Sequence, residues 1–445
     1  MKSDLPSTVL VIFGVTGDLS HRYLLPALSQ ICRAGRLPED FKILGVSRQA
    51  GITREKIFGG ELEPLRAFSD ILQMDLADQK AYDGLEDKLK KVAAGMSAQP
   101  QIIFYLVVPP AGVLPIIEKL GQAGLNGPRA KLLLEKPFGV DLYSARELIS
   151  ATEKYFSENQ VYRIDHYLAK EMAQNIAVFL GSNNILQGLW NKDYIKSIDV
   201  IAAEKIDIEG RAGFYESTGA LRDVGQSHLL QLAALTLMEP CSDIFDFEEI
   251  PRRRLAALER LRPPAPDQLP AKVTRAQYKG YGQEVKNPGS QTETWFDICL
   301  DSTDPRWQGV PIRLVAGKAF DQKLTEIRVN FKEGKGSPNQ LILRIQPQEG
   351  IELYLWIKQP GYERALQKLP LSFNYGQHFD RLPDAYEQVL LDAMNSNHSL
   401  FAGSREVLES WRILQPILEH WSVGGGQLIQ YKKGESLEQA LAGFV

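Results

Sequence analysis

Between Val9 and about Asp165 the chain alternates short β-branched runs, VLVIF, KILGV, IIFYLVV, KLLLE and VYRI, with longer amphipathic stretches. Runs this apolar are buried on both faces, and strands separated by helix-length segments lie parallel, so the pattern restricts this part of the chain to a doubly wound α/β sheet. Beyond it the grammar changes. Helices are expected from about Tyr167 to Leu180 and from Thr218 to Met238, after which TWFDICL, IRVNF, LILRI and ELYLWI succeed one another with no helix between them. Successive strands of that kind pair antiparallel, which predicts an α+β second part with a large, mainly antiparallel sheet. A chain of 445 residues exceeds what one core supports, and the predicted division is into domains 1–165 and 166–445.

Charge narrows the partners. The 51 basic residues nearly balance the 55 acidic ones, for a net charge of −4, so no global field draws in nucleic acid or an anionic membrane. The segment PRRRLAALERLRPPAPDQLP reads as a solvated helix and a proline linker, with Arg252, Arg253, Arg254 and Arg260 balanced by Glu248, Glu249 and Glu259. Cys32, Cys241 and Cys299 are odd in number and lack C-x-x-C spacing, which implies neither a disulfide framework nor a metal site. The opening MKSDLPSTVLVIFG is unlike a signal peptide, and no apolar run reaches the roughly 20 residues of a membrane span. A soluble protein of the reducing cytoplasm is expected.

The run VLVIFGVTGDL has the order strand, glycine turn, helix, with Gly14 and Gly17 three residues apart. Backbone free of side chains at such a turn approaches a pyrophosphate closely, while the helix N-terminus favours the anion. Thr16, Asp18 and Leu19 belong to the same candidate Rossmann-like loop; an ordinary βα turn would carry the same glycines. The second strand runs into Ser47 and Arg48, where NAD-binding folds place a carboxylate. A guanidinium there suits a 2′-phosphate and favours NADP, unless Arg48 is merely a surface residue.

In RIDHYLAKEM, His166 and Lys170 stand four residues apart, which on a helix puts both on one face beside Tyr167. Imidazole, ammonium and phenol near a helix start form a candidate phosphate grip, and equally an ordinary polar surface. His228 is flanked by Leu221, Val224, Leu232 and Leu235 at helical spacing, which places it on an apolar, inward face. It is either a core histidine or a base for alcohol oxidation, since imidazole titrates near neutrality.

These residues sit in blocks that resemble the glucose-6-phosphate dehydrogenase family: GVTGDL, EKPFG (135–139), RIDHYLAKE (163–171), RDVGQSHLLQ (222–231), GVPIRLVAGKAF (309–320), RIQP (344–347) and LPDAYEQVLLD (382–392). The resemblance runs in order along nearly the whole chain. It implies oxidation of D-glucose 6-phosphate at C1 to 6-phosphoglucono-1,5-lactone, the first oxidative step of the pentose phosphate pathway, with hydride passing to NADP or, in some members, NAD. It further implies a homodimer or homotetramer assembled through the second domain's sheet. By the same resemblance His228 is the base and Asp165 its orienting carboxylate. His166, Tyr167, Lys170 and Lys323 hold the phosphate, Glu204, Lys318 and Gln346 line the sugar site, Lys136 touches both sugar and cofactor, and Pro137 marks an interdomain hinge.

Four departures from the family pattern stand out. Ala169 replaces a glycine, Ser227 an asparagine, and Glu216 an aspartate expected to contact a sugar hydroxyl; Tyr23 stands where the family usually has a lysine. Two other readings stay open on the residues alone. An E-K-P turn also occurs in relatives of glucose-fructose oxidoreductase and inositol dehydrogenase, which act on other sugars, and the departures at Tyr23 and Glu216 are compatible with a weakly catalytic NADP(H)-binding regulator.

Overall fold

The computed structural model describes residues 5–241, 246, 248–334 and 338–443. The chain divides into two compact units, one made of everything described up to Gly139 with Tyr143–Ala169 and Pro383–Ser404, the other of Val140–Leu142, Lys170–Leu382 and the chain from Arg405 onward.

In the first unit the strands β1 (Thr8–Phe13), β2 (Phe41–Ser47), β3 (Ser69–Gln73), β4 (Gln101–Leu106), β5 (Ala130–Leu134) and β6 (Val161–Ile164) form a parallel sheet in the order β3-β2-β1-β4-β5-β6. All six residues of β1 are buried, as a central strand covered on both faces requires. Val11 lies between Leu44 and Phe104 in register, and the strand order reverses at β1 and β4. A crevice at the carboxyl ends of these strands is where such sheets bind ligands.

Two features of this unit differ from the sequence expectation. β3, SDILQ, buries only Ser69 and is too polar to be read as a strand. The other is the return of Pro383–Ser404, whose helix Ala385–Met394 packs on the helix Leu25–Arg33 and whose strand Phe401–Ala402 pairs antiparallel with β6. Asp384 and Glu387 form a capping box that starts the returning helix. Its far end is tied down by Lys131, whose Nζ donates to the Ala393 carbonyl at 2.6 Å and the Ser396 hydroxyl at 2.8 Å, and by Gln101 Nε2, which donates to the Met394 carbonyl at 2.7 Å.

The second unit is built on a sheet running Leu366–Asn374, Gly350–Lys358, Gln340–Gln346, Leu324–Phe331, Ile195–Ala203, Ile312–Gly317, Trp295–Ser302, Val273–Tyr278 and Leu428–Tyr431. Ile195–Ala203 runs parallel to Ile312–Gly317 and Leu428–Tyr431 parallel to Val273–Tyr278; the other neighbours along the path are antiparallel. Tyr215, Trp295, Phe320 and Tyr431 centre one of its cores. No helix among the described residues is long and apolar enough to cross a membrane.

Helices in this unit correct the sequence reading twice. The stretch expected to be one helix from Thr218 to Met238 is three segments, Ala212–Ala220, a π-helix over Leu221–Leu229 and an α-helix over Leu230–Leu237. The arginine-rich segment does form a helix, Glu249–Arg260, but it is not simply solvated. Arg254 is fully buried and pairs with the buried carboxylate of Glu406, Nε to Oε1 at 2.9 Å, because a guanidinium out of water needs a partner.

Candidate active site

The turn after β1 is shaped by glycine. Gly14 has φ +88°, and a Cβ there would lie 2.1 Å from the Val107 carbonyl oxygen, so only a residue without a side chain lets the loop pass the end of β4. The Gly14 N–H donates to Val46 O at 3.1 Å and the Gly17 N–H to Gly14 O at 2.9 Å. Helix begins at Asp18, is π-bonded over Ser20–Leu24 and continues as Leu25–Arg33. Gly14, Thr16, Gly17 and Arg48, all singled out in the sequence, line a cleft of about 520 Å³ together with Asp75 and Val107.

Arg48 is exposed and directly follows β2, where no carboxylate stands. Asp75 follows β3, and its Oδ1 accepts from the Ala77 N–H at 2.9 Å. Asp18 is exposed and pairs with Arg22 at 3.4 Å; neither it nor Leu19 lines the cleft. Sequence reasoning missed the far wall, Val107, Val108, Pro109 and Ala111, although VVPPA after a buried strand was the available signal for a second βα turn at the reversal point.

Past β5, Lys136 and Pro137 are joined by a cis peptide. The preceding Glu135 carboxyl is enclosed: the Tyr105 hydroxyl donates to it at 2.6 Å, Tyr386 also bonds it, and burial pushes its pKa up to about 7 despite the neighbouring Lys136. Tyr23 stacks on Tyr386 with ring centroids 5.7 Å apart, which joins it to the aromatic pair that reaches Glu135.

Past β6, Asp165 is 2% exposed, and its Oδ1 accepts from the Tyr167 N–H at 3.0 Å. His166 and Tyr167 are neighbours in the following turn, with rings 5.0 Å apart. The shared helical face expected for His166 and Lys170 does not exist. Residues 166–169 form a turn, Lys170 is extended (φ −71°, ψ 139°), and the helix is Glu171–Ser182. Asp165 competes for the local N–H groups, which is how an aspartate turns a chain out of helix. Ala169 packs into the first unit's core, so the extra methyl is accommodated.

In the second unit four expected residues meet at one end of the sheet. Ala203 and Gly317 pair in register on parallel strands, so the next residues, Glu204 and Lys318, emerge side by side and form an ion pair. Lys318 is 5% exposed, and its Nζ also lies 5.3 Å from the centre of the Tyr215 ring. Lys323 precedes Leu324, which pairs with Ala203, and Gln346 ends the next strand, its Nε2 donating to Thr325 Oγ1 at 2.9 Å.

His228, 3% exposed, sits in the π-helix that packs on Ile195–Ala203 and Ile312–Gly317, the two strands that deliver Glu204 and Lys318. The Glu216 carboxylate accepts from Tyr281 Oη, Asn287 Nδ2 and Ser290 Oγ, each at 2.8 Å. Among the described residues no three His, Cys, Asp or Glu side chains gather as a metal site.

Residues 11–175 match the family described as glucose-6-phosphate dehydrogenase, NAD binding domain, and residues 177–443 the family described as its C-terminal domain. The chain is 36% identical to glucose-6-phosphate 1-dehydrogenase of Mycolicibacterium smegmatis, over 92% of this chain and 90% of that protein. It is 34% identical to the protein of the same name from Chlamydia muridarum, over 94% and 91%. A solved structure of a glucose-6-phosphate dehydrogenase in complex with its substrate superposes with a TM-score of 0.91 at 30% identity, covering 99% of this chain and 98% of that one. For glucose-6-phosphate 1-dehydrogenase from Mycobacterium avium the TM-score is 0.84 at 31% identity, over 97% and 95%.

Proposed function

The chain belongs to the glucose-6-phosphate dehydrogenase family, and we propose on that premise how its own residues carry the reaction. It oxidises D-glucose 6-phosphate at C1 to 6-phosphoglucono-1,5-lactone, opening the pentose phosphate pathway. A nicotinamide dinucleotide in the cleft of the first unit supplies the hydride acceptor. The cleft suits its pyrophosphate, because Gly14 and Gly17 leave backbone bare in front of the helix that begins at Asp18. Arg48, with no carboxylate at the end of β2, supports NADP over NAD.

His228 takes the proton of the C1 hydroxyl as hydride departs, and Asp165 steadies the imidazolium that results. The observation that carries this reading is a buried imidazole on a helix laid across the strands that bring Lys318 and Glu204 together. Glu204, Lys318 and Gln346 hold sugar hydroxyls; His166, Tyr167, Lys170 and Lys323 hold the phosphate as separate donors rather than as one helix face. Lys136, at the turn after β5, serves both ligands. The exposed Ile357, Leu366, Leu369 and Leu371 on Gly350–Lys358 and Leu366–Asn374, the two strands at one edge of the sheet, support self-association there, as a homodimer or homotetramer. The free thiols of Cys32, Cys241 and Cys299 fit a reducing cytoplasm.

The test is His228→Asn assayed with glucose 6-phosphate and NADP. Loss of a general base lowers kcat by roughly 10²- to 10⁴-fold, and a variant keeping most of its kcat removes His228 from the role. Free glucose is assayed in parallel; equal efficiency with and without the phosphate refutes the grip.

A further inference from the structure

We propose that Glu293 is a positioning residue for the catalytic base, locking the register of the π-helix that carries His228; the inference rests on His228 acting as that base. A π-helix bonds i to i+5 and is seldom stable by itself, so a nine-residue one, Leu221–Leu229, needs outside support. Glu293 supplies it at the start. Its Oε1 accepts from the Leu221 N–H at 2.9 Å, and its main-chain carbonyl accepts from the Ala220 N–H at 3.1 Å. Both donors are at a helix junction where intrahelical partners run out.

The approach is prepared by Gly219. Its φ is +69°, and a Cβ there would lie 2.4 Å from Glu293 Oε1, so the residue before the junction is bare where the carboxylate comes in. The same segment grips the helix again one turn later. Glu293 leads into the strand Trp295–Ser302, and a Cβ on Gly225 would stand 3.0 Å from Cζ of the Phe296 ring, so this ring rests against helix backbone three residues before His228. One short stretch of chain therefore fixes where the helix starts and how it sits at its middle.

Register matters because each return from i+5 to i+4 bonding shifts every later residue around the helix. If the cap were lost, the segment would relax toward ordinary α-helix and His228 would leave the direction it now has. Glu293 is 3% exposed, and the charged groups acting on it are Arg222 and Arg275. Its role differs from that of a substrate ligand, since its Oε1 is committed to the backbone.

The experiment compares wild type, Glu293→Ala, Glu293→Asp, Glu293→Gln and Gly219→Ala with glucose 6-phosphate and NADP. It measures kcat, KM, the isotope effect with substrate deuterated at C1, and amide exchange across 221–229. Misplacing a reacting group costs on the order of 10- to 100-fold. That loss is expected in kcat for the Ala variants, with KM nearly unchanged, a larger isotope effect and faster exchange of the helix amides. Gln, which keeps an oxygen at the same place, restores kcat. Wild-type kcat in Glu293→Ala, or a Gln variant as impaired as Ala, overturns the proposal. Should Ala fail to fold, Glu293→Asp decides, because it withdraws the acceptor by one methylene; unchanged kcat there is equally fatal. His228→Asn is run alongside. If that variant stays active the base assignment fails, whereas helix exchange in Glu293→Asp still reports on the lock.

Discussion

Glu135 makes the stability of the first unit depend on pH in an unusual direction. Its carboxyl is held by Tyr105 and Tyr386, with Lys136 and Asp165 as the charged neighbours, and burial raises its pKa from 4.5 to about 7. The folded unit therefore keeps this proton when the unfolded chain has already released it. Below about pH 4.5 both states are protonated and the stabilisation is complete; it falls as pH rises and is fully lost above about 7. Two and a half pH units correspond to about 3 kcal/mol. Glu135→Gln keeps an acceptor for Tyr105 and cannot ionise, so it should abolish that slope. Asp392, also raised to about 7 by burial, adds a parallel slope that the variant leaves in place, and the difference between the proteins isolates Glu135. All six tryptophans, at 190, 295, 307, 356, 411 and 421, lie in the second unit, so fluorescence is blind to the effect. Amide exchange of β4 and β5, corrected for intrinsic rates at pH 5 and pH 8, reads it directly. Wild type and Glu135→Gln losing the same protection between those pH values would refute the assignment of a neutral, buried carboxyl.

Gly14→Ala should weaken NADPH binding at least about tenfold, since relieving a strain of about 1–3 kcal/mol requires moving the loop off Val107 O; titration of NADPH fluorescence checks it, and an unchanged Kd counts against the cleft. Arg48→Asp should cost NADP about 10- to 100-fold in affinity, the value of a charge-assisted contact, while NAD changes little; an unaltered NADP/NAD ratio would mean that another group reads the 2′-phosphate.

Much of the fold was legible where residues are buried on both faces. VLVIF and IIFYLVV admit one interpretation because no charged side chain interrupts them, whereas SDILQ and the two-residue strand Phe401–Ala402 owe their strand character to a neighbour. The His166 and Lys170 spacing misled for a related reason. Four residues separate them in a turn as in a helix, and the difference is made by Asp165, whose side chain takes the Tyr167 N–H. The π-helix has no composition of its own; its contacts with Glu293 and Phe296 come from about seventy residues downstream in the chain. Motifs placed Glu204, Lys318 and Gln346, but their convergence came from strand register, which single-chain periodicity does not contain.

The returning segment has a consequence for biosynthesis. Lys131 and Gln101 find acceptors on residues 393, 394 and 396, and β6 acquires its outer neighbour at 401–402. A nascent polypeptide ordinarily completes its N-terminal domain first. In this one the nucleotide half, though translated earliest, keeps an open sheet margin until Ser404 leaves the ribosome, and is finished only after most of its companion has been made.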